Sequence, residues 1–299
     1  MQVTKPGKIQ DGLWMFGRYR SCVHIMKNKN GYILINGGMG YILKDVLRQM
    51  EEFGIDKRKI NSAIILHTHF DHIGIIPYFK HINPDLIVYA SLHAKNILKK
   101  PKAIESINTF SRMAAERMTD KEMRYKEDSV DWSTEIEIEV VVNNDIIEAD
   151  QATLQVYETP GHSLCSISLY SPEYKALFPS DAGGVLSAQT YTAYGNSNYT
   201  LFQQSLEKMK DLDVKYLCSD HYGYVKGKKA GVFINEVIEL AKKRRFLMEE
   251  IYLKTRNLDM AVKEATETFS DENTDSIVSS DVFEETYRQM MAHIAGELD

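Results

Sequence analysis

The stretch Ile64-Ile65-Leu66-His67-Thr68-His69-Phe70-Asp71-His72 decides how this chain is read. An apolar run ends, and the next six residues hold three imidazoles and one carboxylate. A strand that releases its last residues into a loop can aim such side chains at one point. Neutral imidazole and carboxylate are the ligands that suit zinc, iron and manganese. Each is costly to bury without a partner, so their crowding points to a shared one.

The same grammar recurs three times. Thr159-Pro160-Gly161-His162-Ser163 follows the strand-like run Thr153 to Glu158, and Phe178-Pro179-Ser180-Asp181 follows Ala176-Leu177. Cys218-Ser219-Asp220-His221 follows Val214 to Leu217. In all four places an apolar run gives way to His or Asp, as a metal site at one edge of a sheet sandwich requires.

Around these motifs the first part reads as β-rich. Leu13 to Phe16, Cys22 to Met26 and Tyr32 to Ile35 are short apolar runs, separated by Gly12, Gly17 and the turn-like Asn28-Lys29-Asn30-Gly31. Tyr41 to Phe53 has helical spacing and stops at Gly54. Ile60 to Leu66 is a buried strand, Gly74 to Phe79 a short helix and Leu86 to Ala90 a further strand. Residues 95–130 are charged, Met-rich (Met113, Met118, Met123) and helical, an insert near the site mouth. Glu135 to Val142 resumes strand alternation. From about Gly231 the chain is helical, with Val232, Ile234, Val237, Ile238, Leu240 and Ala241 on one face. Two more helices follow, Met260 to Phe269 and Val282 to Ile294, with a polar linker, Asp271 to Ser280, between them.

Composition fits a globular enzyme. With 299 residues, 43% of them hydrophobic, there is ample material for a core. The net charge of −6 argues against nucleic acid as the main partner. No window of about 18 apolar residues predicts a membrane span. The polar stretch Met1 to Asp11 has no apolar signal core. Three cysteines, Cys22, Cys165 and Cys218, are too few for a disulfide framework, so a reducing cytoplasm is expected. Cys165 and Cys218 read as inert buried thiols, and His24, His81, His93 and His293 as packing histidines.

The ligand order HxHxDH…H…D…H, carried by His67, His69, Asp71, His72, His162, Asp181 and His221 over roughly residues 9–225, resembles the metallo-β-lactamase superfamily. The resemblance implies an α/β fold, a four-layer αββα sandwich. It would span 1–228 with the helical insert, followed by a helical C-terminal extension over 229–299. It implies two divalent metal ions, zinc first and iron or manganese as alternatives. His67, His69 and His162 would hold one, Asp71, His72 and His221 the other, and Asp181 both. A bridging hydroxide would be the nucleophile and Asp71 the proton carrier. Asn36 stands where the superfamily often carries an Asp that supports the ligands. It keeps the shape without the charge, which implies weaker support of ligand basicity.

In layout the chain is similar to the quinolone-signal response thioesterases of pseudomonads and to glyoxalase II-like hydrolases. The expected activity is therefore hydrolysis of a small-molecule acyl ester: a thioester first, a lactone second. A metal-binding regulatory or sensor protein with incidental hydrolysis is the competing class. A di-iron redox protein ranks last, because flavodiiron members usually carry Glu where this chain has His69. Tyrosines crowd the segment after Asp181. Of Tyr191, Tyr194, Tyr199, Tyr222 and Tyr224, Tyr194 is the leading candidate for a hydroxyl that donates to substrate. Phe283, Tyr287, Met290 and Met291 would allow either a homodimer face or packing within one subunit.

Overall fold

A computed structural model describes residues 1–117, 130–187, 190–270 and 280–299. Met118, Met123 and all but the last residue of the linker Asp271 to Ser280 lie outside the described residues. The chain opens with strands β1 (Gln2–Val3), β2 (Gly7–Gln10), β3 (Leu13–Arg18), β4 (Ser21–Asn28) and β5 (Gly31–Ile35). Helix α1 (Leu43–Glu52), strand β6 (Ile60–Ile64), helices α2 (Phe70–Ile73) and α3 (Ile76–Ile82), and strand β7 (Ile87–Ala90) follow. Then come α4 (Leu92–Leu98), α5 (Pro101–Glu116), β8 (Ile138–Val140), β9 (Ile146–Glu148), β10 (Thr153–Glu158), β11 (Ile167–Ser171) and β12 (Ala176–Phe178). A small hairpin, β13 (Val185–Leu186) and β14 (Tyr191–Thr192), precedes α6 (Tyr199–Met209), β15 (Tyr216–Cys218) and β16 (Tyr224–Lys226). The tail is α7 (Lys228–Thr255), α8 (Leu258–Thr268) and α9 (Ser280–Leu298).

Two seven-stranded sheets result. One runs β2-β3-β4-β5-β6-β7-β8 and the other β1-β16-β15-β12-β11-β10-β9. The first is antiparallel from β2 to β5 and parallel from β5 to β8. In the second only β12 and β15 pair in parallel.

Side-chain alternation explains the layering. Along β4, Val23 and Ile25 face α1 and α3, whereas Cys22 and Met26 face the other sheet. Along β6, Ala63 and Ile65 point outward and Ile64 and Leu66 inward. The inner core joins these residues to Leu154, Val156, Ile167, Leu169 and Phe178 of the second sheet. The outer face of the second sheet is covered by α6, α7, α8 and α9 through Phe202, Phe233, Val237, Met248, Val262 and Met290. The architecture is thus helix, sheet, sheet, helix, the αββα sandwich, with a helical extension in its last layer.

Local boundaries depart from the sequence reading for identifiable reasons. The insert is two helices, because Pro101 occupies the first position of α5 and its ring cannot continue the preceding helix. Only Ile138–Val140 of the expected strand Glu135 to Val142 pairs with β7; Ile136 donates instead to the Ser133 carbonyl in a turn. The metal motif itself coils into α2, so α3 starts only at Ile76. Helix α7 begins at Lys228, directly after Gly227, whose φ of 68° suits a break in direction. Tyr287, Met290 and Met291 are fully buried against the chain's own core. His81 and His93 are exposed instead of packed. All three cysteines are buried and free.

Leu154 is fully buried between the sheets, so Leu154→Ala removes apolar contact that nothing replaces. The expected loss is about 2–5 kcal/mol of folding free energy. Denaturant unfolding of the variant beside the parent checks it; a loss below about 1 kcal/mol would show a more adaptable core.

Candidate metal centre

The chain leaves β6 under control of Asn36. The Asn36 backbone N–H donates to the Ile64 carbonyl (2.9 Å), and its side-chain oxygen accepts from the Leu66 N–H (2.9 Å). His67 and His69 follow in extended backbone, and the single turn of α2 then turns Asp71 and His72 toward them. The Gly37 N–H donates to the His72 carbonyl (2.5 Å) and the Gly74 N–H to Gly38 (2.6 Å), fastening that turn to the end of β5. His162 is delivered by Gly161, whose φ is +137° and where a Cβ would meet the Phe202 nitrogen at 2.2 Å. No side chain fits there. Asp181 lies in the 3-10 turn Ser180–Gly183 and His221 just after β15.

All seven sequence-predicted ligand residues meet at one edge of the sandwich. His67 Nε2 and His162 Nε2 each stand 3.1 Å from His69 Nδ1. Nitrogens about 2.1 Å from one tetrahedral centre stand about 3.4 Å apart, so this spacing matches a zinc-sized triad. A second group forms from Asp71, His72 and His221: His72 Nε2 lies 3.5 Å from Asp71 Oδ2 and 3.3 Å from His221 Nε2. Asp181 reaches both. Its Oδ2 is 3.4 Å from His162 Nε2 and 3.2 Å from His72 Nε2, and its Oδ1 is 3.6 Å from His221 Nε2.

The far nitrogens of four rings are tied down. His162 Nδ1 donates to the Tyr194 carbonyl (2.9 Å) and His221 Nδ1 to the Arg20 carbonyl (2.8 Å). Asp220 secures the other two. Its Oδ2 lies 3.1 Å from His72 Nδ1, and it accepts from the Ser180 hydroxyl (2.6 Å) and the Asn36 amide (2.5 Å). Because the Ser180 proton is committed to Asp220, its oxygen is left to accept from His67 Nδ1 at 3.1 Å. One carboxylate therefore fixes the tautomer of a histidine in each group and leaves both Nε2 atoms facing the centre. Asp220 is the residue sequence reading missed. It stands beside His221 in the sequence, and a reading for direct ligands passes over it. Its carboxylate, against the Asn36 amide, carries the negative charge that Asn36 lacks.

Three residues other than glycine hold positive φ around this centre: Asn36 (58°), Ser180 (48°) and Tyr222 (56°). Such strain persists only where surrounding contacts over-determine it, and it clusters at functional sites.

Electrostatics separate the rings. Burial, then the neighbouring imidazoles, hold His67 well below the ordinary range and bring His69 down to about 4; burial also lowers His162. These rings are neutral, with lone pairs directed at one another, an arrangement that a cation relieves. His72 is the exception: burial opposes its charge, but Asp181 and Asp71 overcome that and raise it well above 6.5. Asp71 and Asp181 are held below the carboxylate range although burial pushes the other way, chiefly by His72 and His221. The neutral imidazoles of His67, His69 and His162 and the ionised carboxylates suit divalent ions, and His72 joins them on losing its proton.

The tyrosines divide. Tyr194 brings its backbone carbonyl to His162 and is among the residues lining the cavity above the centre, while its ring centroid lies 5.2 Å from the Arg244 guanidinium. Tyr191 donates to Glu236 (3.1 Å), Tyr199 to the Ala241 carbonyl (3.2 Å), and Tyr224 packs in the inner core. His24 lies buried beside Phe178 and is not among the residues that meet at the centre.

The sequence profile of the metallo-beta-lactamase superfamily matches residues 17–221, most of the chain and every residue of the centre. The chain belongs to this superfamily. Solved members share the fold at low identity. A metallo-beta-lactamase family protein from Thermus thermophilus aligns at 15% identity and TM-score 0.68, over 95% of this chain and 94% of its own. An archaeal superfamily protein from Sulfolobus tokodaii aligns at 19% and 0.58, over 76% of this chain and 85% of its own. A flavo di-iron protein mutant from Thermotoga maritima aligns at 18% and 0.58, over 81% of this chain and 63% of its own. No helix among the described residues is long and apolar enough to cross a membrane.

Two outcomes follow for metal binding. Asp220→Asn keeps the shape and removes the charge behind His72, and is expected to weaken zinc binding about 10–100-fold in chelator competition; unchanged affinity would contradict the role given to Asp220. The second concerns protons. His72 is raised in the folded, metal-free chain, so its protonation stabilises that state fully below about pH 6.5 and this contribution fades as pH rises through the higher folded value. Metal at His72 must displace that proton. Zinc titrated calorimetrically at pH ~7 should show a heat that varies with buffer ionisation enthalpy, and affinity should fall as pH falls. A heat independent of buffer would exclude proton release.

Proposed function

We propose that this superfamily member is a two-metal hydrolase of a small acyl thioester. The reading is carried by one observation: the imidazole and carboxylate cluster forms the floor of a cavity of about 540 Å³ whose walls are largely apolar. Ile107, Phe110 and Met113 of α5 line one side, Leu186 of the β13–β14 hairpin another, and Phe283 of α9 a third. Such a chamber takes an acyl chain and leaves its carbonyl at the polar floor.

His67, His69 and His162 would hold one ion, Asp71, His72 and His221 the other, and Asp181 would touch both. Bound there, two divalent ions supply Lewis acidity and a water acidic enough to ionise near pH ~7. The protein residues do the rest. Asp71, ionised by its surroundings, takes the proton from the attacking water and returns it to the leaving thiol. The cavity walls keep bulk water from the reacting carbon. Tyr194 donates its hydroxyl proton to the carbonyl oxygen. Asn196, which also lines the cavity, has a buried side-chain oxygen with no partner among the described residues, so its amide is available to orient the substrate.

A lactone presents the same carbonyl chemistry and is the second reading, favoured by the same chamber. The regulatory reading, which rests on Asn36 and the long helical tail, is less favoured because Asp220 sets a carboxylate against Asn36.

Metal-quantified protein assayed on acyl-thioesters, acyl lactones and a β-lactam, with His69→Ala as blank, tests this. One thioester should turn over well above the blank, and Tyr194→Phe should slow it about 100-fold. Preference for a lactone moves the substrate class. No turnover with about two metals bound per chain defeats the hydrolase reading.

A further inference from the structure

Behind the centre lie buried polar atoms that the mechanism does not use. His24 of β4 is fully buried, and neither of its ring nitrogens has a partner among the described residues. Asp220 Oδ1 is likewise buried without a partner, although Oδ2 of the same carboxylate gathers Asn36, Ser180 and His72. Chain connections bring these two residues into one region. The Cys22 N–H donates to the Asp220 carbonyl (2.7 Å), and Cys22 and His24, two residues apart on β4, share the inward face about 6.6 Å from each other. His24 pairs with Ile35 across β4 and β5, one residue before Asn36. Its ring meets Phe178 at 5.4 Å, at the end of β12 and alongside the end of β15 that leads to Asp220. Asp220 is also the charged group whose field reaches the His24 ring.

Buried polar atoms in folded proteins are paired, and where protein supplies no partner a bound water does. We propose that His24 and Asp220 Oδ1 share one buried water, making His24 a positioning residue that supports His72 through Asp220. This deepens the two-metal reading and rests on it. Neutral imidazole has one donor and one acceptor; the ring N–H donates to the water and the water donates to Oδ1. Asp220 is then held from both sides: by Asn36, Ser180 and His72 on Oδ2, and by His24 through water on Oδ1. A carboxylate so fixed cannot rotate away from His72, whose Nε2 stays aimed at the centre. Residues acting behind a ligand in this way typically alter metal affinity about 10–100-fold.

The test compares zinc affinity of the parent, His24→Leu and His24→Gln by competition with a chromophoric chelator. Leu removes both nitrogens and should weaken binding about 10-fold. Gln keeps a donor and an acceptor and should retain most of the affinity. In an Asp220→Asn background His24→Leu should add little, because the two act through one path. A role confined to packing would move the melting temperature and leave zinc affinity unchanged, and that result overturns the proposal. Should His24→Leu fail to fold, the ¹⁵N-labelled parent decides: a magnetisation-transfer signal between water and a His24 ring N–H supports the shared water, and its absence refutes it. A parent that binds no metal would defeat the two-metal reading, while the ring signal would still report on the water.

Discussion

At the edge where the chemistry lies, one carboxylate ties together segments from both sheets. Asp220 follows β15 in the second sheet. Asn36, which it meets at 2.5 Å, follows β5 in the first, and Ser180 follows β12. His72 comes from the single turn of α2. Three separate chain segments thus converge on the Oδ2 of a fourth, which sets the tautomer of His72 directly and that of His67 through Ser180. If that carboxylate were displaced, the ligand triads would lose their common orientation and the sheets their polar seam. The charge is buried, and a buried charge persists only when several donors satisfy it. The strained backbone at Asn36 and Ser180 is consistent with that demand, since both residues bend to reach one oxygen.

Much of this was legible in the sequence. The strand-then-ligand grammar located all seven residues that meet at the centre, because a ligand's type and its place after a strand are local properties. The strand-like run Thr153 to Glu158 coincides with β10. What the sequence did not disclose depends on contacts made across the fold. Asp220 was in plain view beside His221, but its role exists only once β5, β12 and β15 end at the same place. Asn36 read as a lost charge for the same reason: the compensating group lies far along the chain. Tyr194 was singled out for its hydroxyl, yet the contact the structure defines is its backbone carbonyl on His162, which every residue type possesses and no composition signals. The strand expected at Glu135 to Val142 is shorter because alternation marks a face and not the extent of pairing with β7.

The cavity shows a division of labour between shared and particular parts. The floor is made by residues within the span that matches the superfamily profile, 17–221. The walls add α5 and α9, and α9 lies outside that span. A floor so built can serve many reactions, whereas the apolar walls set what enters. Low identity to solved members of the fold accords with this, since such likeness speaks for the sandwich and not for the chamber.

The position of α9 has a temporal side. Its far end is clamped to the sandwich by Arg245, which pairs with Glu297, Glu249 and Thr200, and by Tyr252 donating to Asp299. Phe283 closes the chamber wall from the same helix. During synthesis every ligand through His221 emerges before this helix does. The wall from α9 is therefore the last part of the chamber to be made, after every residue of its floor.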